Sequence, residues 1–347
     1  MYNVSIAPHL RAENSTKSIM RDVAIATLPI LAFGFYRFGL PAVLVTLLCV
    51  ASSVLFELLF ELITKRTVTI FDNSALVTGL ILAINLPASV PWYIPVLGSG
   101  FAIVVVKLLF GGLGQNFMNP ALAARCFLLI SFASKMSDFA TYGVYNANLS
   151  ELFKGGKIKQ CFTLLAGQNT SSLDAVSGAT PLASLESGAE LDLVSLFFGM
   201  HAGTIGEVSV IAILIGAAYL LIKKVISIRI PASYILSTVV FIAIIRLIKG
   251  DALSVQYLLS QVMAGGLLVG AFFMATDYAT SPINSKGQIL YGIALGLLTA
   301  LFRVVGSSAE GVSYAIIIGN LFVPIIEKIT LPKPFGSHSR KGGESNG

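Results

Sequence analysis

Charge is what this chain has least of. Asp, Glu, Lys and Arg make up 12% of its 347 residues, and the acids number only 17, where a soluble globular chain carries about 25% charged residues. Too few charges are present to coat a water-exposed surface, which argues against a soluble enzyme, a disordered chain and a coiled coil. Cysteine is scarce as well. Cys49, Cys126 and Cys161 form no CxxC pair, so a thiolate-held cluster and a disulfide scaffold are both unexpected. No phosphate-binding glycine loop or dinucleotide fingerprint occurs, and His9, His201 and His338 lack metal-ligand spacing. The chain is therefore not expected to bind a nicotinamide or an iron–sulfur cluster itself, and no metal site is assigned.

What is present is apolar. Hydrophobic residues reach 55%, with 22 Phe and 32 Gly, and the mean hydropathy is +0.84. This composition predicts an all-α polytopic membrane protein. A simple span needs roughly 20 apolar residues. Ten runs qualify, some only as broken helices: 23–38, 40–63, 74–86, 93–110 and 119–132, then 205–222, 231–248, 255–275, 287–305 and 311–327. A polar stretch, 133–190, and a short apolar piece, 191–199, separate the two sets. The net charge of +6 is read as topology, not as a nucleic-acid signal. With the N-terminus inside, Lys65, Arg66, Lys107, Lys223, Lys224 and Lys286 lie at the cytoplasmic side, against Arg37, Arg246, Lys249 and Arg303 at the outer ends. Both termini are then cytoplasmic and 133–190 is on the outer face. The polar opening, Met1–Asp22, shows no cleavable leader.

Five crossings per half make the second half run upside down relative to the first, as in an inverted repeat with broken helices. The expected organisation is a cytoplasmic segment (1–22), a first membrane half (23–132), an outer segment (133–204), a second half (205–327) and a cytoplasmic tail (328–347). Asn119-Pro120 suits a helix start, after a glycine-rich turn at Gly111–Gly114. Asp277 stands at the expected broken end of the eighth span, and an acid at membrane depth is a functional candidate. Asp277, Glu57 and Asn119 are thus the candidates for an ion pathway or a helix break. Arg125, inside a short span, either pairs with an acid or another anionic group or braces the fold. Glu61 and Lys65 have the i, i+4 spacing of a helix-end ion pair, whereas Glu57 lies deeper without an evident partner. Gly265-Gly266, and Gly292 with Gly296, are read as close helix packing.

The outer segment carries Asp174-Ala175-Val176-Ser177-Gly178-Ala179-Thr180-Pro181. Gly178 and Ala179 leave an open approach to a hydroxyl, and Pro181 fixes the following turn. Asp-x-x-Ser-Gly-Ala-Thr resembles the covalent-flavin acceptor motif of the RnfD family, the D-type subunits of Rnf electron-transport complexes. It is similar also to that of the B-type subunits of the sodium-translocating NADH:quinone oxidoreductase. Further matches follow in order: Ala7-Pro8-His9-Leu10-Arg11, Gly114-Gln115-Asn116 with Asn119-Pro120-Ala121, Met274-Ala275-Thr276-Asp277, and Asn320-Leu321-Phe322-Val323-Pro324. They extend over nearly the whole chain, and its length favours the Rnf family. Ala175 stands where many relatives have Gly.

The resemblance implies FMN joined by a phosphoester to Thr180, with Asp174, Ser177, Gly178 and Ala179 completing the motif, and a noncovalent riboflavin in the membrane part. It implies a urea-channel-like fold. It implies a bacterial inner-membrane subunit of an ion-translocating ferredoxin:NAD oxidoreductase, a translocase with no catalytic residue of its own. The partners would be the other Rnf subunits (A and E in the membrane, G bearing flavin, B and C facing the soluble side) and a flavin transferase. The rival expectations are the quinone-reductase relative and a urea-type channel or transporter without flavin.

Overall fold

The computed structural model describes residues 15–141, 176–177, 181–186, 191–199, 201–250, 254–304, 306 and 311–331. Helices dominate them. The first half contains α1 (Thr16–Phe38), α2 (Leu40–Ile63), α3 (Ser74–Ile84), α4 (Tyr93–Leu108) and α5 (Pro120–Ser131). Between the halves lie three short helices, α6 (Ala133–Met136), α7 (Pro181–Glu186) and α8 (Leu193–Phe198). A two-residue antiparallel pair joins Ala140–Thr141 to Val176–Ser177. The second half contains α9 (Val210–Ile222), α10 (Arg229–Lys249), α11 (Val255–Met263), α12 (Leu267–Met274), α13 (Ser285–Val304) and α14 (Gly311–Thr330).

An apolar helical segment stands at each of the ten predicted places. Five helices (α1, α2, α10, α13 and α14) are long and apolar enough to cross a membrane. The α11–α12 pair makes a sixth span bent by 59°, and α3, α4, α5 and α9 are shorter apolar helices. The chain is a multi-pass membrane protein. Its outer side chains are apolar: Ile63, Ile222, Ile248 and Ile283 are all largely exposed, an arrangement that an apolar surround makes favourable.

Local sequence sets the boundaries. Ser15 caps α1 by accepting from the Ser18 N–H at 3.2 Å. Gly39 then reverses the chain at φ 66°, and Pro41 sits in the first turn of α2. Asp72 Oδ1 accepts from Ser74 N at 2.7 Å where α3 begins. The tightest packing is that of α10 on α13. A Cβ at Gly292 or Gly296 would run into Ser233 or Ser237, and Ser237 Oγ donates to Gly292 O across the contact at 3.1 Å. These two glycines are packing residues, as expected.

Gly265 and Gly266 are not. They take φ 73° and 65° at the bend between α11 and α12, a conformation that costs residues with a Cβ about 1 kcal/mol or more. They form the corner itself. The eighth span therefore breaks at 264–266, ahead of the Asp277 end where the sequence suggested it. Two stretches, Phe101–Leu108 in α4 and Gly270–Met274 in α12, are wound as π-helix, a form frequent at functional sites.

Candidate functional site

Three polar constructions are buried among the apolar helices. The first surrounds Glu57, which is fully buried near the end of α2. Lys107 Nζ, from the π-wound end of α4, lies 2.6 Å from Glu57 Oε1 and donates to Ser74 Oγ at 2.6 Å. Thr69 Oγ1 donates to Glu57 Oε1 at 3.3 Å. The predicted Glu61–Lys65 pair does not form among the described residues. Glu61 instead accepts from the Thr69 N–H at 3.1 Å and from its hydroxyl. Lys65 has left-handed backbone (φ 54°), which turns the chain away at the helix end. Glu57, which has no evident partner in the sequence, is thus the ion-paired acid.

The second construction is a meeting of helix ends. Asn119 caps α5, its Oδ1 accepting from Ala121 N (3.1 Å) and Leu122 N (3.4 Å), while its Nδ2 donates to Met274 O at 3.4 Å. Asn85, at the end of α3, donates to Ile81 O (2.6 Å) and accepts from Arg125 Nη1 at 2.6 Å. Arg125 therefore braces the end of a short helix. Asn320 joins the group when its amide is oriented to satisfy both ends: the nitrogen meets Thr280 O (3.2 Å), Ile316 O (3.2 Å) and Tyr291 Oη (2.6 Å), and the oxygen accepts from Asn119 N at 3.2 Å. Broken helices at membrane depth leave backbone groups that such side chains must satisfy. Asp277 follows the end of α12 and accepts from Thr280 Oγ1 at 3.1 Å.

A pocket connects these two constructions. Its polar wall includes Lys107, Ser74, Thr78, Asn116, Asn119 and Asp277; its apolar wall includes Val77, Ile81, Phe272 and Phe273. Two of the three predicted ion-pathway or break residues, Asn119 and Asp277, face one cavity, and Glu57 stands behind Lys107. The pocket thus pairs a polar edge with an apolar wall.

The third construction is the break at 264–266. Arg303, near the end of α13, is 3% exposed. Its Nη1 donates to Gln261 O and to Gln261 Oε1 (3.2 Å), and its Nη2 to Ala264 O (3.1 Å) and Gly265 O (2.9 Å). These are the carbonyls a helix leaves open where it stops. The short helix α7 packs on the same corner, with Leu182 and Leu185 clustered on Ala264. Nearby, Thr204 Oγ1 donates to the buried Glu207 at 3.3 Å. Of the acceptor motif, Asp174, Gly178, Ala179 and Thr180 lie outside the described residues, and Ser177 is described only as backbone paired with Ala140. The described part begins one residue beyond the candidate acceptor, at Pro181.

Asn85 and Glu207 were not singled out as site residues by sequence reasoning; Lys107 and Arg303 were read only as charges that set the topology, and Asn320 only as part of a motif resembling the family. Among the described residues no group of His, Cys, Asp and Glu is arranged to hold a metal, and Cys49 and Cys126 are buried free thiols.

Residues 3–336 match the NQR2, RnfD, RnfE family. The chain belongs to that family. It is 44% identical over 338 residues to the D component of the Na(+)-translocating ferredoxin:NAD(+) oxidoreductase complex of Acetobacterium woodii, covering 96% of this chain and 95% of that one. It is 34% identical over 352 residues to the D component of the proton-translocating ferredoxin:NAD(+) oxidoreductase complex of Clostridium ljungdahlii, covering 97% of each. It is 31% identical over 355 residues to the D component of the ion-translocating oxidoreductase complex of Escherichia coli, covering 99% and 100%. In this NQR2, RnfD, RnfE family member, similarity runs through both membrane halves and the segment between them.

Proposed function

We propose that this chain is the membrane electron-carrier subunit of RnfD type in an ion-translocating ferredoxin:NAD oxidoreductase, set in a bacterial inner membrane with both termini cytoplasmic. On this reading FMN is held by a phosphoester on Thr180 at the outer face, and a noncovalent riboflavin occupies the pocket beside Asn119. The observation that carries the reading is end-to-end similarity to proteins so named, combined with Asp174-x-x-Ser177-Gly178-Ala179-Thr180 in the one long polar segment. Ferredoxin and NAD sites fall to the partners, Rnf subunits B and C among them, with A, E and G completing the membrane assembly.

When bound, the flavins supply one- and two-electron redox chemistry. The chain's own residues hold and orient them. Phe272 and Phe273 line the apolar side of the pocket, and Asn116 and Asn119 line its polar side. Lys107, already bound to Glu57 at 2.6 Å, places a shared positive charge at that wall. Such fixed charges and hydrogen bonds are the means by which a protein tunes a cofactor. Asp277, which lines the same pocket, is the acid we assign to ion movement coupled to it.

The test is a denaturing gel viewed under ultraviolet light, using chain coexpressed with a flavin transferase. Fluorescence that survives denaturation and disappears in Thr180→Ala is expected. A dark wild-type band, with the transferase active on a control substrate, would sink the covalent-flavin reading and leave the channel alternative. Ferredoxin:NAD activity, as opposed to NADH:quinone activity, in the native complex separates this protein from its quinone-reductase relative.

A further inference from the structure

A second cleft opens at the end of the molecule where α9 stops and α10 and α13 begin. It encloses about 310 Å3, within the size range of small-ligand pockets. Lys224, Ser281 and Gln288 stand on its polar side, and Val225, Ile230 and Ile283 on its apolar side. Its three polar residues take no part in the pocket beside Asn119. Hydrogen bonds between chain segments frame the cleft: Ser227 Oγ donates to Gln288 Oε1 at 3.0 Å, Tyr278 Oη to Val225 O, and the Ile283 N–H to Glu327 Oε1 at 3.1 Å. The Gln288 contact uses its carbonyl oxygen, which leaves the amide NH2 for another acceptor. Among the described residues, Lys224 Nζ has neither an ion pair nor a hydrogen bond.

Two more exposed cations stand at the same end. Arg229 opens α10, and Lys286 lies in the first turn of α13. The acid nearest the cleft, Glu327, already accepts from a backbone N–H. Among these charges are side chains that suit hydrocarbon: Ile222, Ile228 and Ile283 are 80%, 57% and 85% exposed. Cations beside exposed isoleucines at the ends of spans match the boundary where a lipid headgroup meets its acyl chains. The first turn of α10 has no side-chain cap, so its open N–H groups add partial positive charge on the side that Ile230 lines.

We infer that this cleft binds an anionic phospholipid, its phosphate held by Lys224 and the Gln288 amide and its acyl chains lying along Ile228 and Ile283. The uncompensated cations select an anionic headgroup over a zwitterionic one, whose own cation they repel. The exposed isoleucines select a lipid over a soluble phosphate, which would leave them uncovered. The inference is independent of flavin attachment and of which side of the membrane the cleft faces.

The full-length chain, purified in detergent, is titrated with phosphatidylglycerol or phosphatidylcholine, and bound lipid is counted by native mass spectrometry. Phosphatidylglycerol should bind saturably and at least about ten-fold tighter than phosphatidylcholine, as expected for two or more basic residues acting on one headgroup. Lys224→Gln should weaken phosphatidylglycerol about five-fold, the weight of one such residue, and Lys224→Arg should keep the wild-type affinity. Gln288→Leu, which removes the amide from the other side of the cleft, should weaken it too. Lys65→Gln is the matched control. Lys65, like Lys224, is an exposed lysine with φ 54° two residues past the end of its helix, but it does not line the cleft, and its loss should change nothing. Equal affinity for the two lipids, or wild-type phosphatidylglycerol affinity in Lys224→Gln, would overturn the inference. An equal loss in Lys65→Gln would overturn it as well, by reducing the effect to general surface charge. Displacement of the lipid by inorganic phosphate at equal concentration would make a soluble anion the occupant, and so refute the lipid assignment.

Discussion

Two buried cations in this protein are satisfied in different ways. Lys107 is met by a carboxylate, Glu57, 50 residues away in sequence, and by a single hydroxyl. Arg303 is met by a row of main-chain carbonyls at a helix break. The first arrangement is a pair of opposite charges, and each member is costly without the other. The second is a charge on backbone dipoles that exist whatever side chains surround them. A charge pair can therefore be lost as a unit with little effect, whereas the main-chain carbonyls that clasp Arg303 stay in place whatever side chain is substituted.

This difference makes predictions of decreasing size. Lys107→Met strands Glu57 in an apolar surround and should destabilise by about 3–5 kcal/mol, the usual cost of halving a buried pair. Thermal unfolding in detergent measures it. The double variant Glu57→Gln with Lys107→Met should recover most of the loss; if it is as unstable as the single variant, the two regions do not differ as described. At the break, Gln261→Met removes only the side-chain contacts to Arg303 (3.2 Å) and to Tyr257 Oη (3.0 Å) and leaves the backbone clasp. The expected loss is about 1 kcal/mol. A much larger loss in the same assay would mean that the side chain, not the backbone, holds the corner.

The smallest effect concerns Asp192, the exposed cap of α8. Its hydrogen bonds from the Ser195 hydroxyl and the Val194 N–H hold the carboxyl below the ordinary value of 3.8. Because the folded value is depressed, its contribution is complete above the ordinary value and is lost as pH falls through the folded one. Hydrogen exchange at the Val194 and Ser195 amides should quicken over that acid window. Asp192→Asn should remove the pH dependence. A protection profile identical in both would refute the role of the charge.

The membrane segments were legible in the sequence because apolar run length is a local property, and each run became a helix. Asn119 was legible for the same reason: a cap and the helix it starts are neighbours in the chain. The partner of Glu57 was hidden because Lys107 reaches it from another helix, and no periodicity links residues 57 and 107. Gly265-Gly266 read as a small-residue packing pair, since sequence alone does not separate that use from positive φ. Arg303 read as an outer-end charge because its acceptors are carbonyls, which no residue type announces. The acceptor motif resembles the family's in the order of its residues, and Thr180 itself lies outside the described residues.

The close fit of α10 on α13, where Gly292 and Gly296 leave no room beyond Ser233 and Ser237, has a mechanical consequence. Two long helices in backbone contact resist sliding far better than helices separated by flexible side chains. They act as a stiff spar, and Arg303 is mounted at the tip of one of them. Any rocking of the molecule during ion passage would then carry this spar as a single piece, and the bent span would flex against a fixed mooring.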